Sequence, residues 1–517
     1  MTAGRPTIFR TLPRELDSGF QRPPLLMLAM ASLFLMLVAP LVTDFGRLAL
    51  AASSIAGIGI VYLLDRLMVA VAPDLVLPRI LSGMFGLQYV WLTVAAITGV
   101  TVDPAFTLGT LDLADAPLAA TLPNLILPVA AFLATVAISA LIRTGTTDNK
   151  SRKSIWRESS EPPSGIEAYL IIAAVLHVTF FVWAGGAKGV VAYFVRVLHS
   201  TLFFVPLYVG RYALVLKRAL YVWFAVMAIV FFLGFFSGER FDALVPPVLC
   251  TAGYITACPP RRRTGALLSA CVLGVLLLGV SGLMGTVRSQ IGRGLGDSKN
   301  GLITSDRIDQ TLGAARQAMS SEQDHSSARA AIWRMIPWAN YATTRLTPEV
   351  IAYSGWSEFP KQAHFAFFNL ALLSGTTVQD NIDMGMSTAP ARLYGYSITE
   401  SNSYEWGILG DGWYRAGIVG VFVFGFTFSL LLAACERSLP LLTRISPVLP
   451  VMLFIYWISV AADVMRSPFL NECRAIFYNT PFLLASVLVV EVVRQTLRPR
   501  SMVVVASTVN RQQAVER

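Results

Sequence analysis

Charged residues are scarce in this chain, and their scarcity argues against an ordinary water-soluble domain. Asp, Glu, Lys and Arg make up 14% of the 517 residues, whereas soluble globular proteins carry about 25%. Hydrophobic residues make up 55%, and the mean hydropathy is +0.61. Several apolar runs have about 20 residues, the length at which a helix crosses the hydrocarbon core of a bilayer. The composition therefore predicts an all-α polytopic membrane protein.

Cysteine is also rare, and the motifs of several enzyme classes are missing. The five cysteines form no CxxC pair, which argues against a zinc site or a redox motif. There is no HExxH, no GxSxG nucleophile elbow and no GxxxxGK[ST] phosphate loop. The sequence therefore predicts neither a metal nor a cofactor.

The apolar runs predict about twelve transmembrane helices. The spans cover residues 25–42, 47–64, 80–100, 118–142, 167–187, 199–216, 219–236, 241–258, 265–286, 412–435, 446–465 and 475–493. Asp65 and Arg66 interrupt the apolar continuation of the second span. No secretory signal peptide is evident, because the polar start leads into a full-length span.

Basic residues cluster in alternate connections between these spans. They occur in the N-terminal tail, in the loops after spans four, six and eight, and in the C-terminal tail. The loop after span three is acidic instead. Because Lys and Arg collect in cytoplasmic loops, the pattern predicts that both termini are cytoplasmic. It also accounts for the net charge of +10 without a nucleic-acid partner.

This topology divides the chain into a membrane domain and one long outward insertion. The predicted parts are 1–24 (cytoplasmic tail), 25–286 (spans one to nine), 287–411 (outer insertion), 412–493 (spans ten to twelve) and 494–517 (cytoplasmic tail). The insertion is too long for an ordinary connector, and its aromatic residues allow it to fold. Residues 306–319 and 327–342 have the apolar spacing of amphipathic helices.

Arginines at the outward ends of spans are exceptions to the positive-inside pattern, so they are candidate binding residues. The candidates are Arg240, Arg288, Arg293, Arg415 and Arg466. The planar guanidinium suits phosphate oxygens, and charges at membrane helices are often functional. The alternative is a structural role, through snorkelling or through ion pairs with carboxylates such as Glu239 or Asp411.

The same outward segments contain candidates for acid–base chemistry. His364 opens an apolar helical stretch of the insertion, and a histidine can take a proton from a hydroxyl near neutral pH. Glu405 and Glu239 are carboxylates that could serve as a base or as a ligand for sugar hydroxyls. The alternatives are a polar surface histidine and solvated loop charges.

Three stretches resemble bacterial oligosaccharide repeat-unit polymerases, the Wzy-type O-antigen and exopolysaccharide polymerases, which are kin to the O-antigen ligases. They are "FFSGERFDALVPPVLCTAGYITACPPRRR", the long outer loop after "GTVRSQIGRG", and "SNSYEWGILGDGWYRAGIVGVFVFGFTFSLLL". The likeness covers about residues 220–435. The chain departs from the family in one respect, because its loop after span five, 188–198, is short.

The resemblance implies a GT-C-like membrane glycosyltransferase of the bacterial inner membrane, with its active site facing the periplasm. The donor would be a glycan on undecaprenyl pyrophosphate, and the acceptor a hydroxyl of another lipid-linked repeat unit. Arg240, Arg288 and Arg293 match the family's outer arginines, which would bind the pyrophosphate. The expected partners are the lipid-linked oligosaccharide, the bilayer, and a chain-length regulator and flippase of the same pathway, with no nucleic acid.

Other functions remain open at this point. An O-antigen-type ligase would need an essential outer histidine, either His325 or His364. A transporter or a flippase for lipid-linked oligosaccharides would favour inverted repeats, and none is visible. A scaffolding subunit would tolerate the loss of every outer arginine.

Overall fold

The computed structural model describes residues 46–98, 117–145, 205–212, 240–291, 305–320, 359–368, 407–442, 449–465 and 467–481, with single positions between 225 and 236 and between 483 and 492. Every element in these ranges is a helix. They are α1 Gly46–Val71, α2 Leu77–Thr98, α3 Pro117–Gly145, α4 Val205–Tyr212, α5 Arg240–Ala257, α6 Pro260–Ile291, α7 Ser305–Ser320, α8 Phe359–Phe368, α9 Gly407–Leu442, α10 Leu449–Asp463 and α11 Phe469–Arg474, followed by a π-helical turn Ala475–Asn479.

The predicted all-helical membrane class is confirmed in its coarse form. Three helical stretches in the described part of the chain are long and apolar enough to cross a membrane: Gly46–Val71, Ala120–Leu141 and Gly407–Leu442. Helices α2, α5, α6 and α10 also coincide with predicted spans. Spans 25–42 and 167–187 lie outside the described residues. The count of twelve and the orientation stay predictions.

Helices α1, α2, α3 and α9 pack together. Gly57 of α1 lies against the ring of Tyr89, and Gly86 of α2 lies against Val61, so α1 and α2 form an antiparallel hairpin. The hydroxyl of Tyr89 donates a 2.7 Å hydrogen bond to the carbonyl of Thr121 in α3. Gly425 brings α9 against Leu127 of α3. The packing therefore joins the start of the described chain to the predicted tenth span.

Several helix boundaries differ from the predicted spans. Helix α1 runs through Asp65 and Arg66 to Val71, because the carboxylate of Asp65 is paired with Arg79 of the neighbouring helix at 2.7 Å. Helix α6 begins at Pro260 and ends at Ile291. Proline suits the first helical position, so the predicted arginine-rich turn is the first turn of a helix.

The outer insertion is also helical at both of its borders. Arg288 lies in the last turn of α6 and not in a loop, because the segment after Gly285 contains no helix-breaking residue. Helix α9 begins at Gly407, ahead of the predicted border at 411–412. The predicted amphipathic helix 306–319 is confirmed as α7, while 327–342 lies outside the described residues.

Candidate functional site

Helix α9 contains a sharp reversal near its start. Ala416 and Gly417 have non-helical backbone angles, and Gly417 has φ 57° and ψ −136°, a conformation that favours glycine. A Cβ added to Gly412 would lie 2.7 Å from the Cα of Val421, whereas nine residues of straight helix would separate the two by about 13 Å. Residues 407–415 therefore fold back against the long segment 418–442.

A buried ion pair lies inside this reversal. The Nε of Arg415 donates to Oδ1 of Asp411 at 2.9 Å, and the two side chains are only 5% and 10% exposed. The other carboxylate oxygen, Oδ2, accepts the backbone N–H of Phe469 at 3.2 Å. Asp411 thus joins the reversal to the first residue of α11.

The guanidinium of Arg415 also fixes α8, a helix of the long insertion. Its NH2 group donates to Oε1 of Gln362 at 2.5 Å, and its Cζ lies 5.0 Å from the ring centroid of Phe359. The Phe359 ring packs against Phe424, at 5.5 Å, and Phe469, at 6.4 Å. A charge stacked on an aromatic face and shielded from water is attracted by the ring.

The far end of α8 is held by the chain that follows α11. The hydroxyl of Tyr478 donates to the carbonyl of Phe367. The rings of Phe367 and Phe477 meet edge to face at 5.9 Å. Both ends of the short helix are therefore held, the first against α9 and α11 and the second against the π-helical turn, and its buried face contains Gln362 and Ala366.

The opposite face of α8 is exposed. It presents Lys361, His364 and Phe368, and the side chain of Phe368 is 71% exposed. The His364 ring lies 5.2 Å from the Phe368 ring. The result is a solvent-facing histidine on a helix whose position is fixed by buried contacts.

Helix α11 contains buried charged residues. Glu472 and Arg474 are both buried, and Cζ of Arg474 lies 5.9 Å from the ring centroid of Tyr478. Burial, together with the nearby carboxylates of Glu472 and Asp411, raises the pKa of the Cys473 thiol to about 12. The Cys473 thiol therefore stays protonated at neutral pH.

A second polar cluster lies at the other end of α9. Glu436 accepts the backbone N–H of Val76 through both carboxylate oxygens and that of Leu77 through Oε2, each at 2.8 Å. Its neighbour Arg437 pairs with Asp74. Glu436 thus caps the start of α2 from a distant part of the chain.

Within each of the two clusters, the contacts join segments that the charge pattern assigns to the same side of the membrane. The connection between α1 and α2 and the end of α9 are both assigned to the cytoplasm. Helix α8, the start of α9 and α11 are all assigned outward. The contacts within each cluster therefore fit the predicted topology.

The structure describes some of the predicted site residues, and the others lie outside the described residues. It brings Arg415 against the helix that contains His364, but Arg415 forms the structural ion pair with Asp411 that was the alternative to anion binding. Arg240 is the first residue of α5, and Arg288 lies in the last turn of α6. Glu239, Arg293, Glu405 and Arg466 lie outside the described residues.

Two important residues were missed at the sequence level. Gln362 carries no charge and belongs to no motif, so nothing in the sequence distinguishes it. Glu436 gave a usable signal, because an ionisable residue directly after a long apolar run needs a partner. Within the described ranges, no group of three His, Cys, Asp or Glu side chains is arranged to hold a metal ion.

Comparisons with family models, curated proteins and solved structures find no match for this chain. The class therefore comes from the described residues, whose elements are all helices and include three that are long and apolar enough to cross a membrane.

Proposed function

We propose that the chain polymerises oligosaccharide repeat units carried on undecaprenyl pyrophosphate at the outer face of the bacterial inner membrane. The observation that supports this most is the docking of α8 on the apolar helices. Gln362 and Phe359 hold it through Arg415, while His364 stays exposed. A group able to accept a proton is thereby fixed beside a helix that is long and apolar enough to cross a bilayer.

The reaction transfers a glycan from the lipid carrier to an acceptor hydroxyl. The acceptor oxygen forms a bond to the anomeric carbon of the donor glycan, and the bond from that carbon to the pyrophosphate oxygen breaks. His364 takes the proton of the acceptor hydroxyl, with Glu405 and Glu239 as the other candidate bases. The lipid pyrophosphate leaves with the electron pair and gains negative charge.

Arginines stabilise this leaving group in the proposal. Arg240, Arg288 and Arg293 are assigned to the outward ends of their spans, with Arg466 as an additional candidate. Fixed cations that face a developing charge in a site with little water lower the barrier to its formation. Arg415 is left out of this set because Asp411 and Gln362 already occupy its guanidinium.

The test is a set of single alanine substitutions at Arg240, Arg288, Arg293 and His364, in cells that lack the wild-type protein. We expect single repeat units to accumulate on the lipid carrier while the protein is still expressed. Arg262→Ala is the matched control, because Arg262 is exposed in the first turn of α6, the end assigned to the cytoplasm. Its polymer should be unchanged.

Two other outcomes would contradict the proposal. Long polymer that stays on the carrier and is never transferred would indicate a ligase. Unaltered polymer in all four variants would exclude this catalytic site and would favour a transporter or a scaffold.

A further inference from the structure

Helix α8 presents three chemically different groups in one line on its exposed face. Lys361, His364 and Phe368 follow each other at spacings of three and four residues, which places them on the same side of a helix. The rise per residue sets Lys361 and Phe368 about 10 Å apart along the axis, with His364 between them. We call this line the α8 stripe.

We propose that the α8 stripe binds the sugar that is attached to the lipid pyrophosphate, with its ring on Phe368 and its phosphate at Lys361. This inference rests on the proposed function and names Lys361 and Phe368 as binding residues of the same site. The bond that breaks lies between the sugar ring and the phosphate. In this arrangement that bond lies over His364.

The chemistry of each group supports this occupant. The face of an aromatic ring carries a partial negative charge, and the C–H groups of a pyranose are weakly positive, so the two stack. The Phe368 side chain is 71% exposed. A sugar that covers its ring removes apolar surface from contact with water, which favours binding. Lys361 is exposed and cationic, as binding a phosphate requires.

The position of the stripe is fixed before any ligand arrives. Gln362 is hydrogen-bonded to Arg415 on the opposite face, and the carbonyl of Phe367 accepts the hydroxyl of Tyr478. The His364 and Phe368 rings lie 5.2 Å apart at 32°, so they form a continuous tilted platform. A fixed surface avoids part of the ordering entropy that binding otherwise costs.

Binding to the purified protein in nanodiscs tests the assignment. The probes are glucose 1-phosphate and galactose 1-phosphate in solution, and the same hexoses on farnesyl pyrophosphate in the nanodisc. The variants are Phe368→Ala, Phe368→Tyr, Lys361→Gln and Lys361→Arg. Leu312→Ala is the control, because Leu312 is an exposed apolar side chain on α7, another helix of the insertion.

We expect Phe368→Ala to weaken binding of the lipid-linked probe about three- to tenfold, the range typical of one aromatic contact. Phe368→Tyr should stay within about twofold of wild type. Lys361→Gln should weaken binding and reduce its salt dependence, Lys361→Arg should restore both, and Leu312→Ala should change neither. The lipid-linked probe should bind more tightly than the free hexose phosphate because the membrane concentrates it at the site.

Unchanged affinity in Phe368→Ala and Lys361→Gln, at unchanged thermal stability, would overturn the proposal. Equal affinity for the free and lipid-linked probes would overturn the lipid carrier as the source of the ligand. Polymer length in cells separates this proposal from the polymerase proposal. If His364→Ala abolishes polymer while Phe368→Ala and Lys361→Gln bind the probe and polymerise normally, the proposal for the α8 stripe fails and the polymerase proposal stands. If binding depends on the stripe but polymer is normal in the Arg240→Ala, Arg288→Ala, Arg293→Ala and His364→Ala cells, the polymerase proposal fails alone.

Discussion

Both ends of α9 contain a buried carboxylate and an arginine, but the two ends pair these groups differently. Each end has a buried carboxylate, Asp411 or Glu436, that accepts backbone N–H groups at the start of another helix. Each also has an arginine on α9 itself. At the start of α9, Arg415 pairs with that same carboxylate, whereas at the other end Arg437 pairs with a separate one, Asp74.

The difference lies in what each cluster connects. The Glu436 cluster joins α9 to α2, and both are apolar helices of the membrane-type bundle. The Asp411 cluster joins α9 to α11 and, through Gln362, to α8 of the polar insertion. We infer that the Glu436 end stabilises the fold, while the Asp411 end also positions the exposed residues of α8.

The largest effect should come from Arg415→Ala. Removal of the guanidinium leaves the buried carboxylate of Asp411 without its charge partner, which typically destabilises a protein by about 3–5 kcal/mol. We expect a large loss of stability on SDS unfolding in mixed micelles. Amide hydrogen exchange in residues 359–368 should also accelerate, because Gln362 loses its hydrogen bond to Arg415. Unchanged exchange there would break the assigned link to α8.

Glu436→Ala should be the next most damaging change. The backbone N–H groups of Val76 and Leu77 lose their side-chain acceptor, and Leu77 is fully buried. We expect about 2–3 kcal/mol of destabilisation in the same unfolding assay. Glu436→Gln keeps one carbonyl oxygen and should cost less. Hydrogen exchange in residues 359–368 should stay at the wild-type rate, and acceleration there would erase the distinction between the two ends.

Gln362→Leu should separate positioning from stability. The apolar side chain has a similar volume, so the Asp411–Arg415 pair remains and global stability should fall by only about 1–2 kcal/mol. The hydrogen bond that holds α8 is lost, however, so exchange in residues 359–368 should rise. Gln362→Glu is the matched variant, since it restores an acceptor for Arg415. If both variants exchange alike, the hydrogen bond does not hold α8.

The pH dependence of stability tests whether Cys473 is buried beside Asp411. Its folded pKa of about 12 lies above the value of about 8.5 in an unfolded chain. Its contribution to stability is therefore complete below about pH 8.5 and is lost as the pH rises toward 12. Wild type should lose stability over this range more steeply than Cys473→Ala. Equal slopes would show that the thiol is not in the buried environment beside Asp411 and Glu472.

The membrane class and the helix at 306–319 could be read from the sequence because they depend on local composition and periodicity. The apolar runs are long, and few charges interrupt them. Helix boundaries were less accurate where a charge is satisfied by a distant partner. The apolar pattern predicts that a span ends before Asp65, yet Arg79 pairs with Asp65 and α1 continues to Val71.

The contacts of the site depend on tertiary structure, and local patterns do not encode them. The pairing of Asp411 with Arg415 follows from i,i+4 spacing, so it was visible as an alternative. The reversal at Gly417 was not visible, although it brings Gly412 against Val421 and buries the pair. Gln362 lies 53 residues from Arg415 in sequence, and only the fold brings the two together.

The smallest effect should come from Arg79→Ala, which removes an exposed ion pair and so provides a comparison for the buried pair at the start of α9. The Arg79 guanidinium makes two bonds to Asp65, at 2.7 and 3.2 Å, so its geometry is at least as good as that of Arg415. Its side chain is 27% exposed, however, and that of Asp65 is 30% exposed. Water and salt screen such a pair, and its removal typically costs under about 1 kcal/mol. We expect a small loss of stability on unfolding, which shrinks further at high salt. A loss as large as that of Arg415→Ala would mean that burial does not separate these pairs, and the contrast drawn for Asp411 would fail with it.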